Sequence, residues 1–268
     1  MTMNRILRRA TLVATLSACL IPAASPAYAQ KWGSLSGQFV LDGDVPAIDE
    51  VENTKEPVVC SAKVPTDQLI VNKDNKGIAN IFVFIPAIKK PPVHPSLEKS
   101  KEKEVVLDQK NCQFVPHAQV MRTDQVLMVK SMDNCLHNTR PSPFKNNPEN
   151  FTVPANERKG LPWKVKVAES LPTLVKCDIH GWMSSYVLVL DHPYAAVTDK
   201  DGKFKIENLP AGELEFRYWH ERPGHLIQIE KVVEGKVKIE STVKIIIEAD
   251  KTKDLGTIKV PVAKFAKQ

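Results

Sequence analysis

The feature that most constrains this chain of 268 residues is a run of soft side chains, Cys177-Asp178-Ile179-His180-Gly181-Trp182-Met183. A thiolate, an imidazole and a thioether within one short segment form a ligand set that suits copper at an electron-transfer site. Such a site needs a second imidazole, and His137 lies 40 residues upstream of Cys177, in Asp133-Asn134-Cys135-Leu136-His137-Asn138. The chain must therefore fold so that these two distant segments meet at one point.

Copper that carries electrons must change its oxidation state with little movement of its ligands. Two imidazoles and a thiolate in one plane, with a weakly bound axial thioether, serve both oxidation states. In this chain the expected ligands are His137, Cys177, His180 and Met183. Their close spacing is typical of a loop between two strands, with residues 171–176 leading in and residues 184–190 leading out.

The first 29 residues have the pattern of a secretory signal peptide. Three arginines precede an apolar run from Ala10 to Ala24, and Ala27-Tyr28-Ala29 forms a small-residue cleavage site. The run is too short for a membrane span. Leu16-Ser17-Ala18-Cys19 offers an alternative, because it resembles a lipoprotein processing site that would leave a lipid anchor at Cys19. We expect cleavage after Ala29 and an exported protein in the periplasm or cell envelope.

The charge balance argues against nucleic acid as a partner. The net charge of +6 comes from 37 basic and 31 acidic residues. Residues 1–29 hold three arginines and no acidic residue, so 34 basic and 31 acidic residues remain and the net charge falls to +3. No basic helix or aromatic-interleaved patch accompanies this weak charge. No Ser-His-Asp pattern, phosphate loop or matched carboxylate pair stands out either, so we expect that the protein is not an enzyme.

The exported chain keeps four cysteines, Cys60, Cys112, Cys135 and Cys177. Thiols tend to pair in an oxidising compartment, so a ligand cysteine needs protection by a metal or by burial. If Cys177 is a ligand, Cys60–Cys112 is the most natural bridge, but the sequence does not choose among the pairings. A Cys135–Cys177 disulfide would abolish the metal site. Strand alternation puts Cys135 on the same face as His137. We expect Cys135 to be a small core residue there, ahead of the alternatives that it is a metal ligand or a disulfide partner.

The remainder of the sequence predicts an all-β protein with little helix. Short apolar segments recur between turn signals, which is typical of β-sandwiches. The lysine-, glutamate- and proline-rich segment Lys89–Glu104 is predicted to be a solvated loop. The predicted strands are Leu35–Leu41, Gln68–Val71, Ile78–Ile85, Val105–Leu107, Gln119–Met121, Val126–Lys130, Trp163–Val167, Tyr186–Leu190, Lys203–Ile206, Leu214–Trp219, Val237–Ile239, Val243–Glu248 and Thr257–Val260.

The segment from about Val105 to Leu190 resembles a cupredoxin, with the short ligand loop of the amicyanin and plastocyanin branch. The matching elements are Phe114-x-Pro116, Asp133-x3-His137-Asn138 and Cys177-x2-His180-x2-Met183. This resemblance implies a Greek-key sandwich with one type 1 copper site. It also implies that Asn138 hydrogen-bonds the ligand loop, and that His180 is a partly exposed edge through which electrons pass. Outer bonds of this kind orient the ligands and tune the metal.

The flanking segments resemble a carboxypeptidase regulatory-like, transthyretin-like sandwich. The resemblance rests on Asp199-Lys200-Asp201-Gly202-Lys203-Phe204 with the Leu209-Pro210-Ala211-Gly212 turn, and on the opening segment Gly33–Gly43. We therefore expect a nested chain, in which residues 104–192 form the copper domain. Residues 30–103, with the charged loop, and residues 193–268 would then build the second sandwich. The combination resembles secreted bacterial proteins of a methylamine-utilisation-like kind, which fixes neither a substrate nor a partner.

These features predict an exported type 1 copper protein that exchanges single electrons with an oxidoreductase or a cytochrome. One alternative is a secreted structural, carbohydrate-binding or surface-binding β-sandwich protein with a vestigial metal site, which a Cys135–Cys177 disulfide would favour. Another alternative is copper storage or delivery, which keeps the same ligands and predicts tight Cu(I) binding with slow electron exchange.

Overall fold

The computed structural model describes residues 30–53, 55–227, 229–233 and 236–266. The predicted signal peptide at residues 1–29 and the alternative lipid anchor at Cys19 lie outside these residues. Of the described residues, 46% are in strands and 6% are in helices, which confirms the predicted all-β class. No helix among them is long and apolar enough to cross a membrane.

The secondary structure consists of many short strands and four helical turns. The strands are β1 (Trp32–Asp42), β2 (Glu50–Glu52), β3 (Lys63–Pro65), β4 (Phe82–Phe84), β5 (Glu104–Lys110), β6 (Gln113–Val115), β7 (Ala118–Arg122), β8 (Val126–Val129), β9 (His137–Ser142), β10 (Phe151–Val153), β11 (Leu161–Lys164), β12 (Thr173–Lys176), β13 (Ser184–Leu190), β14 (Ala195–Val197), β15 (Lys203–Pro210), β16 (Gly212–His220), β17 (Gly224–His225), β18 (Ile229–Val233), β19 (Lys236–Glu240), β20 (Val243–Ile247) and β21 (Thr252–Pro261). The helical turns are one short α-helix, α1 (Pro57–Cys60), and 3-10 turns at Ala87–Lys89, Pro95–Leu97 and Val262–Phe265.

The first and last parts of the chain share two sheets and one core. β1 lies between β15 and β21, while β4 lies between β14 and β16, and β16 also pairs with β17 and β20. Apolar side chains from both sheets form one buried cluster that includes Leu35, Phe39, Ile81, Phe204 and Ile245. Strands from both flanking segments therefore contribute to the same hydrophobic core. The assignment of this sandwich to a carboxypeptidase regulatory-like family stays a prediction.

The intervening residues form two further sheets around a second core. One sheet has the strand order β10-β9-β12-β13-β7, and the other has the order β11-β8-β5-β6. Side chains from both sheets meet in a buried cluster that includes Leu107, Val129, Trp163, Val175 and Val187. β12 pairs antiparallel with both β9 and β13. The start of β9, the end of β12 and the start of β13 therefore lie side by side.

Strand β13 joins the second core to the flanking strands β4 and β16 because it is buried on both faces. Val187 and Val189 belong to the cluster between the two intervening sheets. Leu188 and Leu190 point the other way and pack with β4 and β16, in a third cluster that includes Trp219. Successive side chains of a strand alternate between faces, so one strand can serve two cores at once. The ligand-bearing sheet is thereby fixed to the rest of the protein.

Two predicted strands differ from the structure, and β9 is a strand that the sequence pattern does not predict. The Gln68–Val71 strand is absent, since Val71 makes only an isolated bridge to Ile78. The predicted Ile78–Ile85 strand is reduced to β4, because Asn80 adopts a left-handed conformation with φ of 65°. Strand β9 was missed, because its polar sequence and Pro141 favour a loop when only the pattern is considered. It forms nonetheless between β10 and β12, where its neighbours bury most of it.

Gly202 is required where the two flanking segments meet. Its φ is +75°, and its carbonyl accepts a hydrogen bond from the Phe39 N–H at 2.8 Å. A Cβ atom at this position would lie 2.1 Å from the Phe39 carbonyl oxygen, closer than any real contact. Gly256 has a similar φ of +62°, but a Cβ atom there would meet nothing within 4 Å.

This difference gives a matched test of how β1 is held against the C-terminal segment. Gly256→Ala should cost about 1 kcal/mol of unfolding free energy, since only the left-handed conformation is penalised. Gly202→Ala should cost clearly more, because the backbone of β1 or of the turn must also move. Guanidinium unfolding of both variants measures the two costs. Equal costs would show that Gly202 is not closely packed against β1.

Candidate metal centre

The four predicted ligands lie on neighbouring strand ends. His137 is the first residue of β9, and Cys177 follows directly after β12. His180 and Met183 belong to the loop that joins β12 to β13. This loop is closed by backbone bonds, from the Met183 N–H to the His180 carbonyl at 2.9 Å and from the Cys177 N–H to the Met183 carbonyl at 3.3 Å. Sheet pairing therefore brings together segments that are far apart in sequence.

Three of these side chains converge on one buried point. Cys177 Sγ lies 4.0 Å from His137 Nδ1 and 3.9 Å from His180 Nδ1, and the two Nδ1 atoms lie 3.0 Å apart. A metal bound at about 2.0 Å to nitrogen and about 2.3 Å to sulfur in one plane would place nitrogen and sulfur about 3.7 Å apart. The same metal would separate the two nitrogens by about 3.5 Å. The donor set thus fits a small ion with trigonal coordination.

Met183 lies in the same environment. It is buried, and it belongs to the apolar cluster that contains Cys177, Phe114 and Val187. Its position in the ligand loop follows that of His180 by one tight turn. Its role as the weak axial ligand stays a prediction.

Asn138 ties the two ligand segments together. Its Oδ1 accepts hydrogen bonds from the N–H of Asp178 at 2.7 Å and of Ile179 at 3.3 Å, and it lies 3.4 Å from Cys177 Sγ. Its Nδ2 donates to Asn150 Oδ1 at 2.8 Å and to Asp178 Oδ2 at 2.9 Å. Asn138, which directly follows His137, thus fixes the backbone that follows Cys177. Such bonds hold the cysteine loop in place whether or not a metal is bound.

Asp133 orients His137 from the opposite side, a role that the sequence analysis missed. Its Oδ2 lies 2.9 Å from His137 Nε2 and accepts the Cys112 N–H at 2.9 Å, while Oδ1 accepts the Asn111 N–H at 2.6 Å. Engaging Nε2 leaves Nδ1 of His137 directed at the metal position. A metal-binding histidine almost always gives its other nitrogen to a carboxylate, a carbonyl or a water. The acidic residue four positions before His137 was the available signal.

Hydrogen bonds and neighbouring charges shift the pKa values of His137 and Cys177 in opposite directions. Burial lowers the pKa of His137, but hydrogen bonds to Asp133 and Cys177 outweigh it and raise that pKa to about 9. Burial raises the pKa of Cys177, but His137 and nearby backbone donors outweigh it and lower that pKa. Burial and the neighbouring His137 lower the pKa of His180. The shifts of His137 and Cys177 both favour the charged form of the group, whereas the shift of His180 favours the neutral imidazole that can bind a metal.

His180 is not a partly exposed edge, contrary to the expectation from the family resemblance. Its side chain is 0% exposed. Cys60 Sγ lies 3.7 Å from His180 Nε2, Glu56 Oε2 lies 3.8 Å from it, and the Trp182 ring is 5.2 Å away. The segment that carries β2, α1 and β3 covers the ligand loop, and the Lys55 ammonium also bonds the Ile179 carbonyl at 3.1 Å. No pattern in residues 50–65 indicates where this segment packs.

The four cysteines of the described residues form one disulfide and two free thiols. Cys60 and Cys112 form a disulfide, whereas Cys135 and Cys177 are free and buried. Cys135 lies in the bend before β9 and not within a strand, so strand alternation does not explain its position. Its Sγ nevertheless lies 3.4 Å from His137 Nε2. Burial and the nearby carboxylates of Glu56 and Asp133 raise its pKa to about 12, which keeps it a neutral thiol.

Three further histidines have partners other than the predicted ligands. His117 pairs with Glu221 of the flanking sandwich. His192 accepts the Tyr194 N–H at 3.2 Å, and His220 packs edge-on against the Phe265 ring. Among the described residues, the potential metal-binding groups involve only His137 and His180 of all the histidines.

Comparison with known proteins gives a limited likeness to copper proteins. No family model matches the chain, and no curated protein sequence matches it. Among solved structures, a Cu-containing nitrite reductase from Thermus scotoductus SA-01 matches at a TM-score of 0.28 and 15% identity, over 39% of this chain and 26% of that chain. An amicyanin variant in the Cu(I) state matches at a TM-score of 0.28 and 12% identity, over 40% of this chain and 97% of that chain. An oxidised amicyanin variant matches at a TM-score of 0.26 and 15% identity, over 40% of this chain and 97% of that chain.

These structural neighbours include cupredoxins, but the likeness covers only about two fifths of this chain. The chain in turn spans 26% of the nitrite reductase.

The role of Asp133 can be tested by a substitution of equal size. In Asp133→Asn, one oxygen becomes an amide that donates hydrogen bonds, but all three partners of the carboxylate are themselves donors. The N–H of the new amide then faces a buried donor with no acceptor between them, and the hydrogen bonding that orients His137 is disrupted. We expect copper affinity to fall about 10- to 100-fold, as for other outer partners of metal ligands. Competition against a copper chelator measures the change.

Asp74→Asn provides the matched control, because it removes a carboxylate from an exposed turn distant in sequence from the ligands. Its copper affinity should equal that of the wild type. If Asp133→Asn also binds copper as tightly as the wild type, the carboxylate does not position His137.

Proposed function

We propose that this protein is an exported type 1 copper protein that carries single electrons to or from a redox partner. The observation that carries the proposal is the convergence of the Cys177 sulfur and two Nδ1 atoms, within 4.0 Å of one another, in a buried pocket. Two imidazoles and one thiolate with a methionine nearby form the donor set of blue copper sites. Copper bound there would supply a one-electron couple.

The chain's own residues would keep this site rigid. Asn138 holds the backbone after Cys177, and Asp133 holds His137, so these two ligands are fixed by bonds outside the metal pocket. His137 and His180 are fully buried, and Cys177 and Met183 are 1% exposed, so the residues exclude water from the site. A rigid and dry pocket reduces the rearrangement that accompanies a change of charge. These features support electron transfer more than chemistry on a bound substrate.

Electrons would enter and leave through the cover above His180. His180 Nε2 faces Cys60 Sγ at 3.7 Å and Glu56 Oε2 at 3.8 Å, and both residues belong to the segment that covers the site. A redox partner, an oxidoreductase or a cytochrome, would therefore dock on this covering segment. We propose no enzymatic activity, no nucleic-acid partner and no membrane span for this chain.

Export to the periplasm or cell envelope is part of the proposal. The signal-peptide pattern supports it, and a disulfide between Cys60 and Cys112 is typical of an oxidising compartment. The structural or surface-binding alternative would be favoured by a Cys135–Cys177 disulfide. Both of these cysteines are free, so no observation favours that alternative.

The visible spectrum of the copper-loaded protein tests the proposal. Reconstitution with Cu(II) should give an intense thiolate-to-copper absorption band, and Cys177→Ser should abolish it because the sulfur ligand is lost. Cys135→Ser should keep the band, since that thiol lies on the Nε2 side of His137, away from the Nδ1 that faces the metal position. A colourless wild-type protein after reconstitution would refute the proposal.

The axial role of Met183 can be tested separately by Met183→Leu. Leucine preserves the apolar volume but removes the thioether, which donates to Cu(II) more than to Cu(I). The band should therefore persist while the reduction potential rises, as measured by a spectroscopic redox titration. Met128→Leu is the matched control, because Met128 lies on β8 in the other sheet. A potential unchanged in Met183→Leu would exclude this thioether as a ligand.

A further inference from the structure

A second group of soft donors lies directly behind the proposed copper site. The Sγ atoms of Cys60, Cys112 and Cys135 and one ring nitrogen of His180 all lie within 4.8 Å of one another. All four residues are buried. The three sulfurs belong to segments that are distant in sequence, and they meet under the segment that covers His180. A buried free thiol beside a disulfide is unusual in an exported protein, where thiols tend to pair.

We propose that reduction of the Cys60–Cys112 disulfide creates a second metal site, a three-thiolate site for Cu(I). Three sulfurs around one ion at about 2.3 Å would lie about 4.0 Å apart, which the present spacing of Cys135 from the other two allows. In the oxidised chain the site cannot form, because two of its sulfurs are bonded to each other. The disulfide therefore sets the number of copper ions that the chain can hold.

The chemical step is a two-electron reduction by a dithiol. The dithiol is oxidised to a disulfide, and it transfers two electrons and two protons to the Cys60–Cys112 bond. That bond breaks, and two thiols form on this chain. Cu(I) then displaces the protons of these thiols and of Cys135. The proposal names a dithiol as the reductant because this compartment's proteins exchange disulfides with such groups.

The softness and the number of the remaining donors favour Cu(I) over Zn²⁺. This residue directs Nδ1 towards Cys177 and His137 and Nε2 towards Cys60 and Glu56. When Nδ1 binds the first ion, Nε2 carries the ring proton and is not a donor to a second ion. Three thiolates then remain as soft donors, whereas structural zinc sites almost always have four ligands. The nearby carboxylate of Asp133 already accepts hydrogen bonds from the Asn111 and Cys112 N–H groups and contacts His137, and that of Glu56 faces Nε2 of His180 at 3.8 Å. Soft thiolates alone suit Cu(I).

This inference rests on the proposed function in one respect, since it assumes that His180 binds the first ion through Nδ1. The two sites would then sit on opposite nitrogens of one imidazole. The second site would bind copper only when the disulfide is open, so the reducing power of the surroundings would decide whether the chain holds one copper ion or two.

The test counts copper in the full-length chain carrying Cys19→Ser, which removes the one other cysteine. Disulfide-bonded protein and protein reduced with a phosphine are each supplied anaerobically with Cu(I), against a chromogenic Cu(I) chelator as competitor. Copper per chain is measured by mass spectrometry of the metal. We expect one additional copper ion per chain after reduction. The same amount of copper in both forms would overturn the proposal.

Two variants assign the additional ion. Cys135→Ser, which leaves the disulfide intact, should lose the additional ion, and circular dichroism checks that it folds. Cys177→Ser, which lacks the first site, should still gain one ion on reduction. This second arm separates the two proposals, because a missing visible band would refute the type 1 site without changing the gain. An additional ion that persists in Cys135→Ser, or uptake of Zn²⁺ in place of Cu(I), would overturn the three-thiolate site.

Discussion

The carboxylate of Asp133 is the interaction on which the metal centre depends. It binds His137 on one side and the backbone of Asn111 and Cys112 on the other. Because Cys112 is bonded to Cys60, the same carboxylate links a proposed ligand to the segment that covers His180. A buried carboxylate with three donors is well compensated, whereas the loss of any one partner would leave a charge poorly solvated. The cover, the disulfide and the ligand are thus parts of one hydrogen-bonded unit.

The two pairs of sheets are joined by packing across the two faces of strand β13. β13 places Val187 and Val189 in one core and Leu188 and Leu190 in another. The start of this strand follows the ligand loop directly. Burial on both faces leaves little freedom for the strand to shift its register, since a slip by one residue would exchange every side chain between the cores. The flanking sandwich therefore helps to fix the position of the loop that carries His180 and Met183.

The cover over His180 changes how the site can work. An imidazole edge at the surface would let a partner dock directly on a ligand. Here a disulfide, a carboxylate and a tryptophan ring stand between His180 and the outside. The same arrangement that hides the ligand places three sulfurs at its rear nitrogen. Protection from water and the capacity for a second, reduction-dependent site thus have one structural origin.

The sequence by itself determined the all-β class and identified the residues that are proposed as metal ligands. Alternating apolar residues and turn signals predict strands because those patterns depend on local geometry. The tight spacing from Cys177 to Met183 predicts convergence for the same local reason. The tertiary structure alone decided that residues 50–65 cover His180, that Cys135 lies in a bend, and that β9 forms despite Pro141. These features depend on contacts between residues far apart in the chain. The energy of such contacts cannot be inferred from the pattern of any short segment.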